Sequence, residues 1–380
     1  MGKKLVCKAI IEVLMRSEGL DHKKVDKIIK KQCKKYNLKE MPTKIEILSF
    51  CKKDERKKLE RFLRTKPSRT ISGVSVITVV AKPAPCPGMC IYCPKGVNAP
   101  QSYTGLEPAV QRGIRNNYDP FLQTRDRLNQ YKAIGHPSDK IEVIILGGTF
   151  LALDKDCQNW FVKRIFDALN GKESESLEAA QKLNENAKHR CTGLTIETRA
   201  DYCFEEHINQ MLKLSTTRVE IGVQSIYPEV LKKVRRGHTV EDAIKATQLA
   251  KDSGLKCTYH VMPGLFVDFK KDLEQFKILF KNPKFKPDSL KIYPVLVIEG
   301  TELYDLWKEK KYHPMSTKEG VKLVSEAMKY IPKYCRVIRV QRDIPSNKIV
   351  AGIKKSNLRE LVEKECERKG IRIKEIRYKR

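Results

Sequence analysis

The run Pro85-Cys86-Pro87-Gly88-Met89-Cys90-Ile91-Tyr92-Cys93-Pro94 sets three cysteines in the spacing C-x3-C-x2-C. Three thiolates this close can ligate three irons of a cubane cluster and leave the fourth iron open to an outside ligand. The other metal they could hold is zinc, in a tetrahedral structural site completed by a distant fourth ligand such as His136. Structural zinc sites pair two C-x2-C halves or add a nearby histidine. This loop has no such neighbour, so the spacing favours a 4Fe-4S cluster on Cys86, Cys90 and Cys93. The remaining nine of twelve cysteines are scattered without pairing rhythm and read as small buried hydrophobes in a reducing compartment.

Further polar groups interrupt apolar, β-branched runs. Gly147-Gly148-Thr149 follows one such run, and its glycines would let backbone approach a ligand closely. Glu197-Thr198-Arg199 offers a carboxylate and a guanidinium, either as an ion pair or as groups for ribose hydroxyls and a ligand carboxylate. Gln224 closes Glu220-Ile221-Gly222-Val223-Gln224-Ser225, His260 precedes Val261-Met262-Pro263-Gly264, and Lys291 and Tyr293 share Lys291-Ile292-Tyr293-Pro294. Polar residues inside strands are costly unless they find a partner or line a cavity, and their joint placement favours a cavity.

The elements that would position these groups are βα units. Strands are expected at 75–81, 141–146, 194–198, 218–223, 256–261 and 290–295, separated by helices at 121–134, 158–169, 207–214, 240–252 and 273–280. Six strands alternating with helices predict an α/β fold, a partial TIM-type (β/α)6 barrel whose ligand groups gather at the carboxyl ends of the strands. Residues 171–188 read as a polar helical insertion. Residues 1–66 form a basic helical module in which about twenty Lys and Arg face about nine acids, either a solvated face or an RNA-binding surface. The barrel is assigned to 67–345, and 346–380 reads as a short helical extension around 358–366 with a basic tail.

The triplet after the first strand, Tyr92 before its third cysteine, and the later strand-end motifs resemble radical S-adenosylmethionine (SAM) enzymes. The resemblance implies that the open iron chelates SAM, whose reductive cleavage yields a 5′-deoxyadenosyl radical. It also implies that Tyr92, Gly147, Gly148, Thr149, Glu197, Arg199, Gln224 and Met262 hold SAM, leaving Lys291, Tyr293 and His260 as candidate catalytic groups.

Several stretches narrow the resemblance: 69–73, Gln101-Ser102-Tyr103-Thr104-Gly105, 135–140, 236–239 and Val340-Gln341-Arg342-Asp343-Ile344-Pro345. Together with the triplet, and across nearly the whole chain, they are similar to the catalytic subunit of Elongator, which modifies the wobble uridine of tRNA. The family's reaction takes hydrogen from the methyl of acetyl-CoA, adds the carbon radical to carbon 5 of uridine, and leaves a carboxymethyl group. By this resemblance Lys140 is an acetyl-CoA contact, sensible for a phosphate-bearing ligand, and the basic amino-terminal module binds tRNA. The family continues into an acetyltransferase domain, and its members often carry a Cys-rich zinc segment where this chain reads Ile373-Lys374-Glu375-Ile376-Arg377-Tyr378. A separate acetyltransferase domain or an Elongator-like partner is therefore expected. The alternatives are a catalytically silent tRNA-binding scaffold and a zinc-stapled RNA-binding protein.

Charge agrees with a polyanionic partner. Lys and Arg exceed Asp and Glu by 30, and the pI is near 9.6. A thermophile-type charged surface would raise Glu along with Lys, and here the acids lag. No apolar run approaches the roughly 20 residues of a membrane span, and no secretory signal is expected, so the protein reads as cytoplasmic.

Overall fold

A computed structural model describes residues 2–66 and 70–379. The expected boundary at 66/67 and Arg69 fall on or beside residues outside that range, as does the tail's Arg380. Four helices come first: α1 (Lys3–Arg16), α2 (His22–Lys35), α3 (Lys44–Ser49) and α4 (Lys53–Leu63). Apolar residues at helical spacing give them a common core of Val6, Ile10 and Leu14 against Val25, Ile29, Ile47, Leu48, Leu59 and Leu63. Asp21 accepts from the Lys24 N–H, and Thr43 and Glu46 cap one another reciprocally, so α2 and α3 start where acceptors are supplied.

This bundle docks on the turn that leads into the second strand. Arg64 Nε donates to the Gly135 carbonyl (2.6 Å), Arg56 donates to the Lys132 carbonyl, and His136 is bonded to Thr65 O (2.6 Å) and Thr70 Oγ1 (2.7 Å). Both ring nitrogens of His136 are thus committed within the joint. The distant zinc ligand considered above is held elsewhere.

The chain then lays down β1 (Ser75–Val80), α5 (Pro108–Arg115), α6 (Pro120–Ala133), β2 (Lys140–Leu146), α7 (Lys155–Asn170), α8 (Leu177–Asn184), β3 (Arg190–Thr198), α9 (Glu205–Lys213), β4 (Arg218–Gln224), α10 (Pro228–Lys233), α11 (Val240–Asp252), β5 (Lys256–Val261), α12 (Phe269–Lys281), β6 (Ser289–Ile292), β7 (Val297–Ile298), α13 (Glu302–Lys308), α14 (Thr317–Ala327), β8 (Arg336–Val340), β9 (Ile349–Ala351) and α15 (Leu358–Arg368). Strands β1 to β6 and β8 form one parallel sheet in sequence order, with β1 and β8 at its edges, and β7 pairs antiparallel with β9. Sequential parallel strands with helical crossovers wind in one hand, which curls such a sheet into an open barrel.

The sheet has seven strands where six were expected. The sixth ends at Ile292 rather than 295, and the seventh, β8, reads Arg-Val-Ile-Arg-Val, broken by two charges and unlike the apolar run of a buried parallel strand. Charge is tolerated there because β8 is an edge. The buried Glu375 carboxylate, strapped by Arg359 Nη2 (2.6 Å), accepts from the Val337 N–H (3.3 Å). The expected polar insertion is helix α8 between α7 and β3.

Candidate functional site

The cysteine loop follows β1 directly and lies over the carboxyl ends of the strands. All three thiols are free; Cys90 is buried and Cys86 and Cys93 are half-buried. Donors meet two of the sulfurs: the Gly88 N–H and the Thr149 hydroxyl lie 3.5 and 3.6 Å from Cys86 Sγ, and Arg236 Nη1 lies 3.5 Å from Cys90 Sγ. A Cβ added at Gly148 would stand 3.6 Å from the Cys86 Cβ, an ordinary contact, and one at Gly147 would stand 3.3 Å from that of Ala81. Burial pushes the Cys93 thiol up, which disfavours a bare thiolate and suits a sulfur whose charge is taken by iron.

Gly88 makes room for Arg199. A Cβ there would stand 2.1 Å from Arg199 Nη1, and Arg199 is clamped through Nε and Nη2 by the Asp201 carboxylate (2.8 and 2.7 Å). Its buried Nη1 has no hydrogen-bond partner, nor do Tyr92 OH and Gln224 Oε1. Such buried polar atoms are rare unless a ligand completes them. Tyr92 and Met262 share an apolar cluster with Cys90 and Leu265. Gln224 ends β4 at φ 65°, a left-handed conformation that costs a non-glycine residue energy and marks functional turns, and its carbonyl accepts from the Met262 N–H. Three free thiols on one loop, polar groups beside two of the sulfurs and orphaned polar atoms fit an iron–sulfur cluster with a polar ligand beside it.

Across the lumen, four strands contribute one ionisable group each. Register sets Glu197 of β3 directly opposite Glu220 of β4, and His260 of β5 opposite Lys291 of β6. Like charges on opposed positions repel. Lys291 resolves the conflict, its ammonium lying 2.8 Å from Glu197 Oε1 and in contact with Glu220 Oε2, while His260 Nε2 lies 3.0 Å from Glu220. Burial opposes ionising Glu220, but Lys291 and the His260 bond outweigh it and hold this carboxyl well below the usual range. Burial likewise works against the Lys291 charge, and Glu197 and Glu220 reverse that and raise it. Glu197, Glu220 and His260 present atoms close enough to share a cation, but the ammonium of Lys291 already fills that role.

Tyr293 packs edge-on against His260 at 5.4 Å, and Tyr103 donates to Glu197 Oε2 at 3.2 Å. Burial, then the neighbouring Glu197, raises the Tyr103 phenol, so it stays a donor. Arg342 holds the Tyr103 loop by donating to the Ser102 carbonyl and hydroxyl.

The structure thus brings together the triplet, Gly147 to Thr149, Glu197, Arg199, Gln224, Met262, His260, Lys291 and Tyr293. Lys140 is not among them. It is exposed at the first position of β2, paired with Arg190 at the opposite end of the sheet, roughly 20 Å away along the strand at about 3.3 Å per residue. Sequence reasoning passed over Tyr103, Glu220, Arg236 and His238, although each lies in a motif quoted above. The available signal was charge embedded in Glu220-Ile221-Gly222 and Arg236-Gly237-His238.

Residues 85–278 match the Radical SAM superfamily and residues 287–368 the Radical_SAM C-terminal domain. The chain belongs to that superfamily, and membership brings with it a 4Fe-4S cluster and SAM. Residues 3–71 match the ELP3 N-terminal domain. Over 387 residues the chain is 53% identical to the "tRNA uridine(34) acetyltransferase" of Methanocaldococcus infernus, covering 99% of this chain and 72% of that protein. It is 42% identical to the human Elongator complex protein 3 over 384 residues, covering 98% and 70%. A solved archaeal Methanocaldococcus infernus Elp3 lacking residues 1–46 superposes with a TM-score of 0.72 at 52% identity, over 80% of this chain and 65% of that one. Within the superfamily, the chain is a member of the Elp3 family. It spans just under two thirds of that solved chain.

Proposed function

We propose that this chain carries the radical SAM half of a tRNA wobble-uridine modification, adding an acetyl-CoA-derived two-carbon unit at carbon 5. The supporting observation is the facing arrangement of three free thiols at the strand ends and the ionic group built from Glu197, Glu220, His260 and Lys291. A cluster held by Cys86, Cys90 and Cys93, with SAM beside it, would supply radical chemistry at this site. The chain's own residues orient what meets it. Arg199 Nη1 and Gln224 Oε1 are free to take polar groups of SAM, Gly148 admits its close approach, and Tyr92 and Met262 give it an apolar wall. On the far side of the lumen, Lys291, His260 and Tyr293 are proposed to hold the uridine, whose carbonyls match the ammonium and phenol as donors. Lys140 is proposed as a remote contact for the phosphates of acetyl-CoA, and the basic helical bundle as the tRNA-binding surface. An Elongator-like partner is proposed to act with the chain on tRNA.

The test is anaerobic incubation of reconstituted protein with SAM and dithionite, reading 5′-deoxyadenosine. A second arm adds tRNA, acetyl-CoA and a separately supplied acetyltransferase domain, reading nucleoside mass. Full SAM cleavage by the Cys86→Ala/Cys90→Ala/Cys93→Ala variant would overturn the assignment of the cluster. SAM cleavage without any change in tRNA mass would overturn the assignment of the substrate.

A further inference from the structure

Arg236 lies between α10 and α11, on the chain that returns from the rim toward the cysteine loop. It is 7% exposed, and among the described residues no carboxylate forms an ion pair with it. Burying a guanidinium without an anionic partner is costly, because neutral acceptors replace its hydrogen bonds to water but not the solvation of its charge. The fold nevertheless builds a fitted seat for it. Nη2 donates to the Gly222 carbonyl (2.8 Å) and Nε donates to His238 Nε2 (3.0 Å), and the His238 ring is itself held 3.0 Å from the Thr239 carbonyl at Nδ1 and 3.0 Å from the Gly222 carbonyl at Nε2. A Cβ on Gly222 would stand 2.6 Å from Arg236 Nη2, so β4 carries glycine where the guanidinium crosses it. This seat aims the third nitrogen, Nη1, at Cys90 Sγ, 3.5 Å away.

We propose that Arg236 is a positioning residue for the iron–sulfur cluster, donating through Nη1 to the Cys90 ligand sulfur and using that ligand's negative charge as its counter-ion. The inference rests on the cluster being held by Cys86, Cys90 and Cys93. Hydrogen bonds and positive charge at a ligand sulfur favour the more negative, reduced state of a cluster and so raise its reduction potential. The electron arriving from an external reductant is stabilised by a charge already in place, and no proton needs to move. His238 and Gly222 act through Arg236 by fixing its plane.

The full chain is reconstituted anaerobically as wild type, Arg236→Gln and Arg236→Lys. Iron per chain is measured, and the cluster is titrated by electron paramagnetic resonance without SAM. At a fixed potential the Gln variant is expected to show at least a tenfold lower reduced-to-oxidised ratio, a shift of about 59 mV for one electron. The Lys variant, which keeps the charge and loses the fork, is expected to fall between. Equal iron content with coincident titration curves would overturn the proposal, as would a difference that emerges only when SAM is present, since Arg236 would then act on SAM and not on sulfur. Should neither variant retain iron, pulsed resonance on reduced wild-type protein carrying 15N-guanidinium arginine decides. A weak 15N coupling that persists in an Arg199→Lys background supports the bond, and its absence there refutes it. Failure of wild type to take up a cluster would instead overturn the proposed function on which the inference stands.

Discussion

Replacing Lys291 with methionine keeps most of the apolar stem of the side chain, one heavy atom shorter, and removes one charge. In the native lumen that ammonium lies 2.8 Å from Glu197 and touches Glu220, which is 1% exposed. Without it, two carboxylates face each other across neighbouring strands. At an effective dielectric near 20 and a separation of about 5 Å, their repulsion alone is about 3 kcal/mol. Stripping one partner from a buried ionic group costs about 3–5 kcal/mol in all. The sign of the pH dependence follows from the same charges. In the native protein Glu220 is held below its usual range, so its contribution is present above its unfolded value near 4.3 and is lost only in acid. In the variant the lumen favours a proton in place of the missing ammonium. Its folded state then binds more protons than the unfolded chain, so its stability improves as pH falls. Thermal melts of metal-free protein under reductant should therefore show the variant lower by on the order of 5–10 °C at pH 8 and by distinctly less at pH 5.5. Adding Glu220→Gln to Lys291→Met should recover part of the loss, by about 0.5–3 kcal/mol. A deficit under about 2 °C at pH 8, or one equal at both pH values, would refute the view that Lys291 neutralises two opposed carboxylates.

Three further outcomes are expected. Gly88→Ala drives a Cβ to 2.1 Å from Arg199 Nη1, and Asp201 prevents the guanidinium from withdrawing; the cost should be about 1–3 kcal/mol with reduced iron content after reconstitution, and unchanged iron and melting would contradict it. Burial of Asp272 in α12 pushes its carboxyl up to about 7 against the opposing Gly264 N–H, so its neutral form stabilises the fold fully below the unfolded value near 3.9 and that contribution is lost as pH rises through about 7. Asp272→Asn keeps the acceptor for Gly264 and should flatten the fall in stability between pH 5 and 8, which denaturant titration at several pH values would read. Lys27→Glu with Lys31→Glu, both exposed on α2, should weaken binding of all tRNAs alike and reduce the slope of log affinity against log salt by about 0.7–0.9 per lost phosphate contact, as measured by fluorescence anisotropy.

Strands β1 to β5 were legible because each is a short β-branched run bounded by helical periodicity, and the cysteine loop was legible because its chemistry is local. β8 was not, since Arg336 and Arg339 break its apolar pattern and the carboxylate that ties down its backbone, Glu375, joins from the tail after α15. The site divides in the same way. His260, Lys291 and Glu197 announce themselves as charges inside strands, whereas Tyr103 enters from a loop whose position depends on Arg342 at the far edge of the sheet. Arg236 looked like one basic residue among many. Its burial depends on Gly222 and His238, and no periodicity reports such a seat.

The parity of the strands explains why function and fold coexist in one sheet. Paired positions on the inner face read Thr195 and Glu197, Glu220 and Gly222, Thr258 and His260, then Ser289 and Lys291, while the alternate positions Leu194, Ile196, Val219, Ile221, Cys257, Tyr259, Leu290 and Ile292 are buried hydrophobics facing the helices. A closed eight-stranded barrel fills its interior with branched side chains; here the interior is polar, and the hydroxyls of Thr195 and Thr258 lack partners. The stabilising core is therefore the outer layer between sheet and helices, and the inner face is released from packing to recognise ligand. A slip of one residue in any central pairing would exchange the two faces, burying charge against helices and exposing Ile and Val to the lumen. Because that error is so costly, the apolar outer face fixes the register, and the register in turn sets Glu197, Glu220, His260 and Lys291 within reach of one another.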